Sequence, residues 1–192
     1  MIYGFRDDIS KEDFRASIED GTLLDKVNRA KVKPGDVAFI SSGTLHAIGK
    51  GILLAEIQQN SNTTYRVYDY GRLGADGKPR ELHVEKACDI TNCTIPKGTL
   101  DPIGMPVKHD GYVSVLLAEC KYFTMTSIET QNLYAGIADE RSFTSIIMLD
   151  GSGTIKCGNE EYPVNKGDSI FIPADSGNYY ISGQTKFLIS QV

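Results

Sequence analysis

The chain has 192 residues, with 20 Lys and Arg against 25 Asp and Glu and a net charge of -5. That acidic balance argues against sequence-independent nucleic-acid binding, which needs a basic surface to displace counterions, while 41% hydrophobic and 23% charged residues allow a buried core. The longest apolar stretches, residues 113–118 and 146–149, fall far short of the roughly 20 residues that span a bilayer, and Cys88, Cys93, Cys120 and Cys157 are too few for a disulfide scaffold.

Met1-Ile2-Tyr3-Gly4-Phe5 has neither a basic nor a long apolar segment, so no signal peptide is expected and a reducing, cytoplasmic setting fits. These five residues are enough for one strand. Ser10 followed by Asp13 reads as an N-cap with an acidic first turn. Phe14, Ile18, Leu23, Leu24 and Val27 recur near helical spacing, so residues 10–28 are expected to be helical, split into two short helices at Gly21. From Val32 onward, short β-rich runs alternate with Gly, Asn, Asp and Pro. They cover residues 37–40, 51–58, 64–70, 81–84, 113–122, 123–128, 143–149, 153–157, 169–172, 179–181 and 187–192. Many short strands at regular turn spacing predict a mainly β sandwich or barrel. Residues 91–110, which contain Pro96, Pro102 and Pro106, read as the connection between two halves. The expected organisation is an N-terminal unit over residues 1–95, a linker over 96–112 and a C-terminal unit over 113–192.

One segment repeats. Pro34-Gly35-Asp36-Val37-Ala38-Phe39-Ile40-Ser41 reappears as Lys166-Gly167-Asp168-Ser169-Ile170-Phe171-Ile172-Pro173, and the same offset places His46 opposite Asn178. The second copy has strands on both sides of its Gly-Asp turn. Residues 144–149 and 154–157, joined by Asp150-Gly151-Ser152-Gly153, are expected to form two of them. The first copy has only a helix and five residues upstream. Strands to pair with residues 37–40 and 51–58 have no source there, which predicts that the chain is the C-terminal part of something longer.

His46, just past a Gly-Asp turn and strand, reads either as a metal ligand pointing into a barrel or as a structural or surface residue. His83, between Leu82 and Val84, reads as a solvent-side strand residue, and His109 as a surface loop residue. Glu56 ends the apolar run Ile52-Leu53-Leu54-Ala55 and sits at a strand end in water or inside a site. Residues 58–66 are densely polar and form an exposed loop or a sugar-binding wall, since polyols need many neutral donors and acceptors. Arg66 suits a carboxylate or phosphate. No nucleophile elbow, phosphate-cradling Gly-rich loop or helical His-Glu-x-x-His is present.

Four runs together carry a resemblance: Gly43-Thr44-Leu45-His46-Ala47-Ile48, Glu56-Ile57-Gln58-Gln59-Asn60-Ser61, Thr64-Tyr65-Arg66-Val67-Tyr68-Asp69-Tyr70, and Pro79-Arg80-Glu81-Leu82-His83-Val84-Glu85-Lys86-Ala87. They closely resemble the bacterial type I mannose-6-phosphate isomerases, zinc enzymes of the cupin superfamily. The dense match covers residues 33–89, and a weaker match to the family's small C-terminal cupin covers 113–192. The resemblance implies cupin-type β-barrel (jelly roll) halves, with the helical segment at about 9–30 as an insertion before the zinc histidine. It implies that His46 is the last zinc ligand and Glu56 a proton-transfer carboxylate. Arg66 becomes an active-site arginine, with Asn60 and Asn62 lining the same pocket.

The family's other zinc ligands, a Gln-x-His strand and a following Glu, have no counterpart here, and no His precedes His46. The second cupin, with Asn178 opposite His46, is expected to lack metal ligands. The resemblance implies interconversion of mannose 6-phosphate and fructose 6-phosphate through a zinc-assisted cis-enediol, with a sugar phosphate as partner. Two alternatives stand beside it. One is a non-catalytic sugar-phosphate-binding cupin. The other is a structural module that forms a homo-oligomer through an unpaired sheet edge.

Overall fold

A computed structural model of the chain describes residues 1–61 and 63–192. The described residues divide into two units, one comprising Met1–Leu54 and Asn60–Leu100, the other Ala55–Gln59 and Asp101–Val192. No helix among them is long and apolar enough to cross a membrane.

In the first unit, β1 (Ile2–Phe5) is the middle strand of a three-stranded sheet, between β2 (Val27–Arg29) and β3 (His46–Ala47). Helix α1 (Lys11–Glu19) starts where its residues predict: the Ser10 hydroxyl accepts the Asp13 N–H at 2.9 Å. The chain breaks around Gly21 and resumes as α2 (Leu23–Lys26), as expected from the sequence. The helical reading ran one element too far, because Val27 and Asn28 leave the helix and pair with β1. Ile2, Phe5, Phe14, Leu23, Val27, Val67 and Ala87 make the core, in which the rings of Phe5 and Phe14 meet edge to face at 5.4 Å.

Much of residues 30–83 departs from the strand reading. Residues 37–40, 51–58 and 64–70 form no strand, and residues 84–90 form a helix, α3 (Val84–Ile90), that the alternation around His83 concealed. The Gly-Asp turns themselves are twins. Gly35 has φ +94° and Gly167 φ +95°. The Lys33 and Asn165 N–H groups donate to the carboxylates of Asp36 and Asp168 at 2.9 and 2.7 Å. The segments beyond the two turns differ. Residues after Asp168 become β10 (Ser169–Ile172), hydrogen-bonded along β8 (Thr144–Cys157). Residues after Asp36 meet no such strand, and the Val37 N–H donates to the Leu100 carbonyl instead, at 2.9 Å. The same local sequence therefore yields strand only where a ladder is present, since an extended segment is stabilised by its neighbour and not by itself.

The second unit is an eight-stranded sheet. Its path runs β10, β8, β11 (Gly177–Gln191), β6 (Thr124–Thr130), β5 (Tyr112–Glu119) and β4 (Val107–Lys108). Off this path, β7 (Leu133–Ala138) pairs with β11 and β9 (Glu160–Asn165) with β8. The path is open, and no barrel closes among the described residues. Asp150-Gly151-Ser152-Gly153, read as a hairpin turn, lies inside the single 14-residue strand β8. Its glycines serve a close approach: a Cβ on Gly151 or Gly153 would lie 2.0 Å from the carbonyl oxygen of Gln184 or Ser182 on β11. Residues 179–181 and 187–192, read as two strands, are likewise largely one, β11. Ile146, Met148, Ile155, Tyr179, Ile181 and Phe187 form the core.

Candidate active site

The residues singled out in the sequence fall into three groups by the way they are held. His46 lies at the start of β3, opposite Tyr3 of β1. Its Nδ1 lies 2.9 Å from the Thr44 carbonyl. A carbonyl oxygen only accepts, so Nδ1 is the donor of this contact, which in a neutral ring places the lone pair on Nε2. The ring is exposed. The loop before it is pinned twice: the Gly4 N–H donates to the Leu45 carbonyl at 2.7 Å, and the Asn92 N–H to the Gly43 carbonyl at 2.8 Å. Asn92 comes just after α3, whose last carbonyls accept the Lys11 ammonium at Cys88 and, beyond the helix, at Thr91, both at 2.5 Å. The bidentate ion pair of Arg15 with Glu85 ties α1 to α3 a second time and holds the Glu85 carboxyl below the usual carboxylate range.

Arg66 is held on both backbone and side chain. Its N–H donates to Nδ1 of His83 at 3.0 Å, and the His83 N–H returns to the Arg66 carbonyl at 2.7 Å. His83 is thus not a solvent-side strand residue but the residue before α3, with its ring tilted against Tyr65 at 6.1 Å. Nη1 of Arg66 donates to the Glu81 carbonyl at 3.2 Å, and Nε lies 3.7 Å from Oδ1 of Asp69. Asp69 accepts both Nε and Nη2 of Arg80. That fork, with the fields of Arg66 and Arg72 added, holds its carboxyl below the usual range. Asp69 and Arg80 are given no role in the sequence reading, and His83 only that of a solvent-side strand residue. The signal available was Asp69 three residues beyond Arg66; the long-range partners carried none.

Glu56 and Asn60 are placed differently. Glu56 belongs to the short segment Ala55–Gln59, which goes with the second unit, and it is exposed, the water-side placement of the two its sequence leaves open, though no strand ends there. Asn60 lies at an exposed bend. Asn62 is outside the described residues. Asn178, the repeat partner of His46, is exposed on β11 opposite Ile137.

Zinc takes about three protein ligands with an open fourth position in catalytic sites. No group of three His, Cys, Asp or Glu is placed to hold a metal ion among the described residues. His46 has the tautomer a ligand needs, but the described residues do not by themselves make a zinc site.

Residues 114–192 match the family model described as mannose-6-phosphate isomerase, cupin domain. Over its full length the chain is 36% identical to the mannose-6-phosphate isomerase ManA of Bacillus subtilis. It superimposes on the crystal structure of the mannose 6-phosphate isomerase from that organism with a TM-score of 0.89 and 34% identity, again over the whole chain. By sequence and by fold, the chain is related to the mannose-6-phosphate isomerases. A mannose-6-phosphate isomerase of Streptococcus mutans is 32% identical over 99% of the chain. The chain spans about 60% of the length of these isomerases. Its mainly β fold is accordingly of the cupin type expected from the sequence.

Proposed function

We propose that this chain carries the substrate-facing part of a mannose-6-phosphate isomerase, an aldose–ketose isomerase acting on mannose 6-phosphate and fructose 6-phosphate. The match of the entire chain to an isomerase at a TM-score of 0.89 is the observation that carries the proposal. The proton leaves C2 of the aldose to a base and returns at C1, while the hydroxyl proton moves between the two oxygens. A cis-enediol lies between, and its anionic form needs compensating charge. Arg66 supplies that charge or orients the phosphate, as a guanidinium fork suits either. Glu56 is the proposed base and Asn60 and Asn62 the proposed polyol contacts. His46 would supply one ligand, through Nε2, to a zinc that would polarise the sugar oxygens.

The test is turnover of mannose 6-phosphate by the purified chain with one equivalent of zinc, beside Arg66→Ala and His46→Ala. Turnover is expected to fall by about two orders of magnitude or more when a positioned charge that meets the transition state is removed. Turnover that survives in both variants overturns the assignment.

A further inference from the structure

The Asp69 carboxylate feels three guanidinium groups, those of Arg80, Arg66 and Arg72. Its side chain is 10% exposed. Arg80 grips it with a fork, Nε at 2.6 Å from Oδ2 and Nη2 on Oδ1. Arg66 reaches the same Oδ1 only by its Nε edge, at 3.7 Å. Arg72, which lies over the Tyr70 ring at 5.4 Å, adds a third positive field. Asp69 with Arg80, Arg66 and Arg72 makes a group of four with a net positive charge. The fork with Arg80 takes up the Asp69 charge, so contact with Asp69 orients Arg66 without neutralising it. The Glu81 carbonyl fixes a second edge of the guanidinium at Nη1, and the His83 ring holds the backbone N–H from which the side chain springs. A long side chain held at two points on an anchored backbone loses little further freedom on meeting an anion.

We propose that Asp69 is the positioning residue of Arg66: clamped by Arg80, it holds the Arg66 guanidinium edge-on, leaving the charge directed at the anionic oxygens of a sugar phosphate. This rests on the reading that Arg66 meets the substrate. The sign of one substitution tests it. Asp69→Asn keeps the shape and removes a negative charge near the anion, so Coulomb attraction alone predicts tighter binding. Loss of positioning predicts weaker binding.

The chain, Asp69→Asn, Arg66→Ala and the double variant are titrated with mannose 6-phosphate by calorimetry at fixed ionic strength, with melting temperatures recorded. The expected result is about tenfold weaker binding in Asp69→Asn, the order of a partly buried ion pair. The double variant should bind no more weakly than Arg66→Ala, because Asp69 acts through Arg66. Binding by Asp69→Asn that is unchanged or tighter overturns the proposal. Binding unaffected by Arg66→Ala sinks the assignment of Arg66 instead. If the unmodified chain shows no saturable binding, the functional reading fails, and positioning is judged by NMR from the Nε–H signal of Arg66. Its broadening in Asp69→Asn supports the proposal, and an unchanged signal overturns it.

Discussion

His46 and Arg66 are fixed by opposite means. The imidazole is set by a carbonyl two residues away, a contact its own loop carries. Arg66 depends on His83, 17 residues on. This has a measurable consequence. His83→Ala deletes the acceptor of a partly buried N–H, and the amide of Arg66 should exchange with solvent faster, at a stability cost of about 1 kcal/mol. Unchanged exchange at Arg66 would show that water replaces the ring without loss. Sequence position carries the His46 contact because it is local. A histidine among Leu82, Val84 and a polar run offers nothing to distinguish a strand face from a ring that accepts a distant backbone N–H.

At the scale of elements, the errors of sequence reading are concentrated where pairing decides. Residues 37–40 and 169–172 are alike in pattern and come after the same turn, yet only the second pair into a sheet. Residues 150–153 have turn composition but lie within a strand, because the glycines admit the β11 backbone at a distance no side chain tolerates. Gly153→Ala puts a Cβ 2.0 Å from the Ser182 oxygen and should cost about 1–3 kcal/mol by overpacking. Chemical denaturation is the check, and a midpoint unchanged from the parent chain would contradict the close approach. Helix α1 was legible, since the Ser10 cap and the apolar spacing of Phe14 and Ile18 are written within one segment; α3 was not.

For the molecule as a whole, two separate cores imply that conditions can strike one unit first. The second unit buries Tyr179 against Tyr134 and Thr144. Burial pushes both phenols up, and the Tyr134 phenol raises Tyr179 further, while the Thr144 hydroxyl works weakly the other way. A group whose acidity constant is raised on folding stabilises the fold fully below its unfolded value, about 10 for tyrosine, and loses that contribution as pH rises above it. Alkali should therefore unfold the second unit as these phenols ionise. Tyrosinate absorbance and β-sheet circular dichroism are expected to change together above about pH 10. Ionisation of both phenols near pH 10 with the sheet intact would contradict their burial.

Sequence alone determined what short-range chemistry determines. The acidic composition, the capped helix, the twin Gly-Asp turns and the runs around His46 and Arg66 that mark the isomerase kinship each depend on residues a few positions apart. Tertiary structure decided which extended segments became strands, that His83 and Asp69 hold Arg66, and that Glu56 goes with the second unit. Those outcomes depend on partners far along the chain. A strand, an acceptor or a counter-ion exists only once folding has brought its partner within reach.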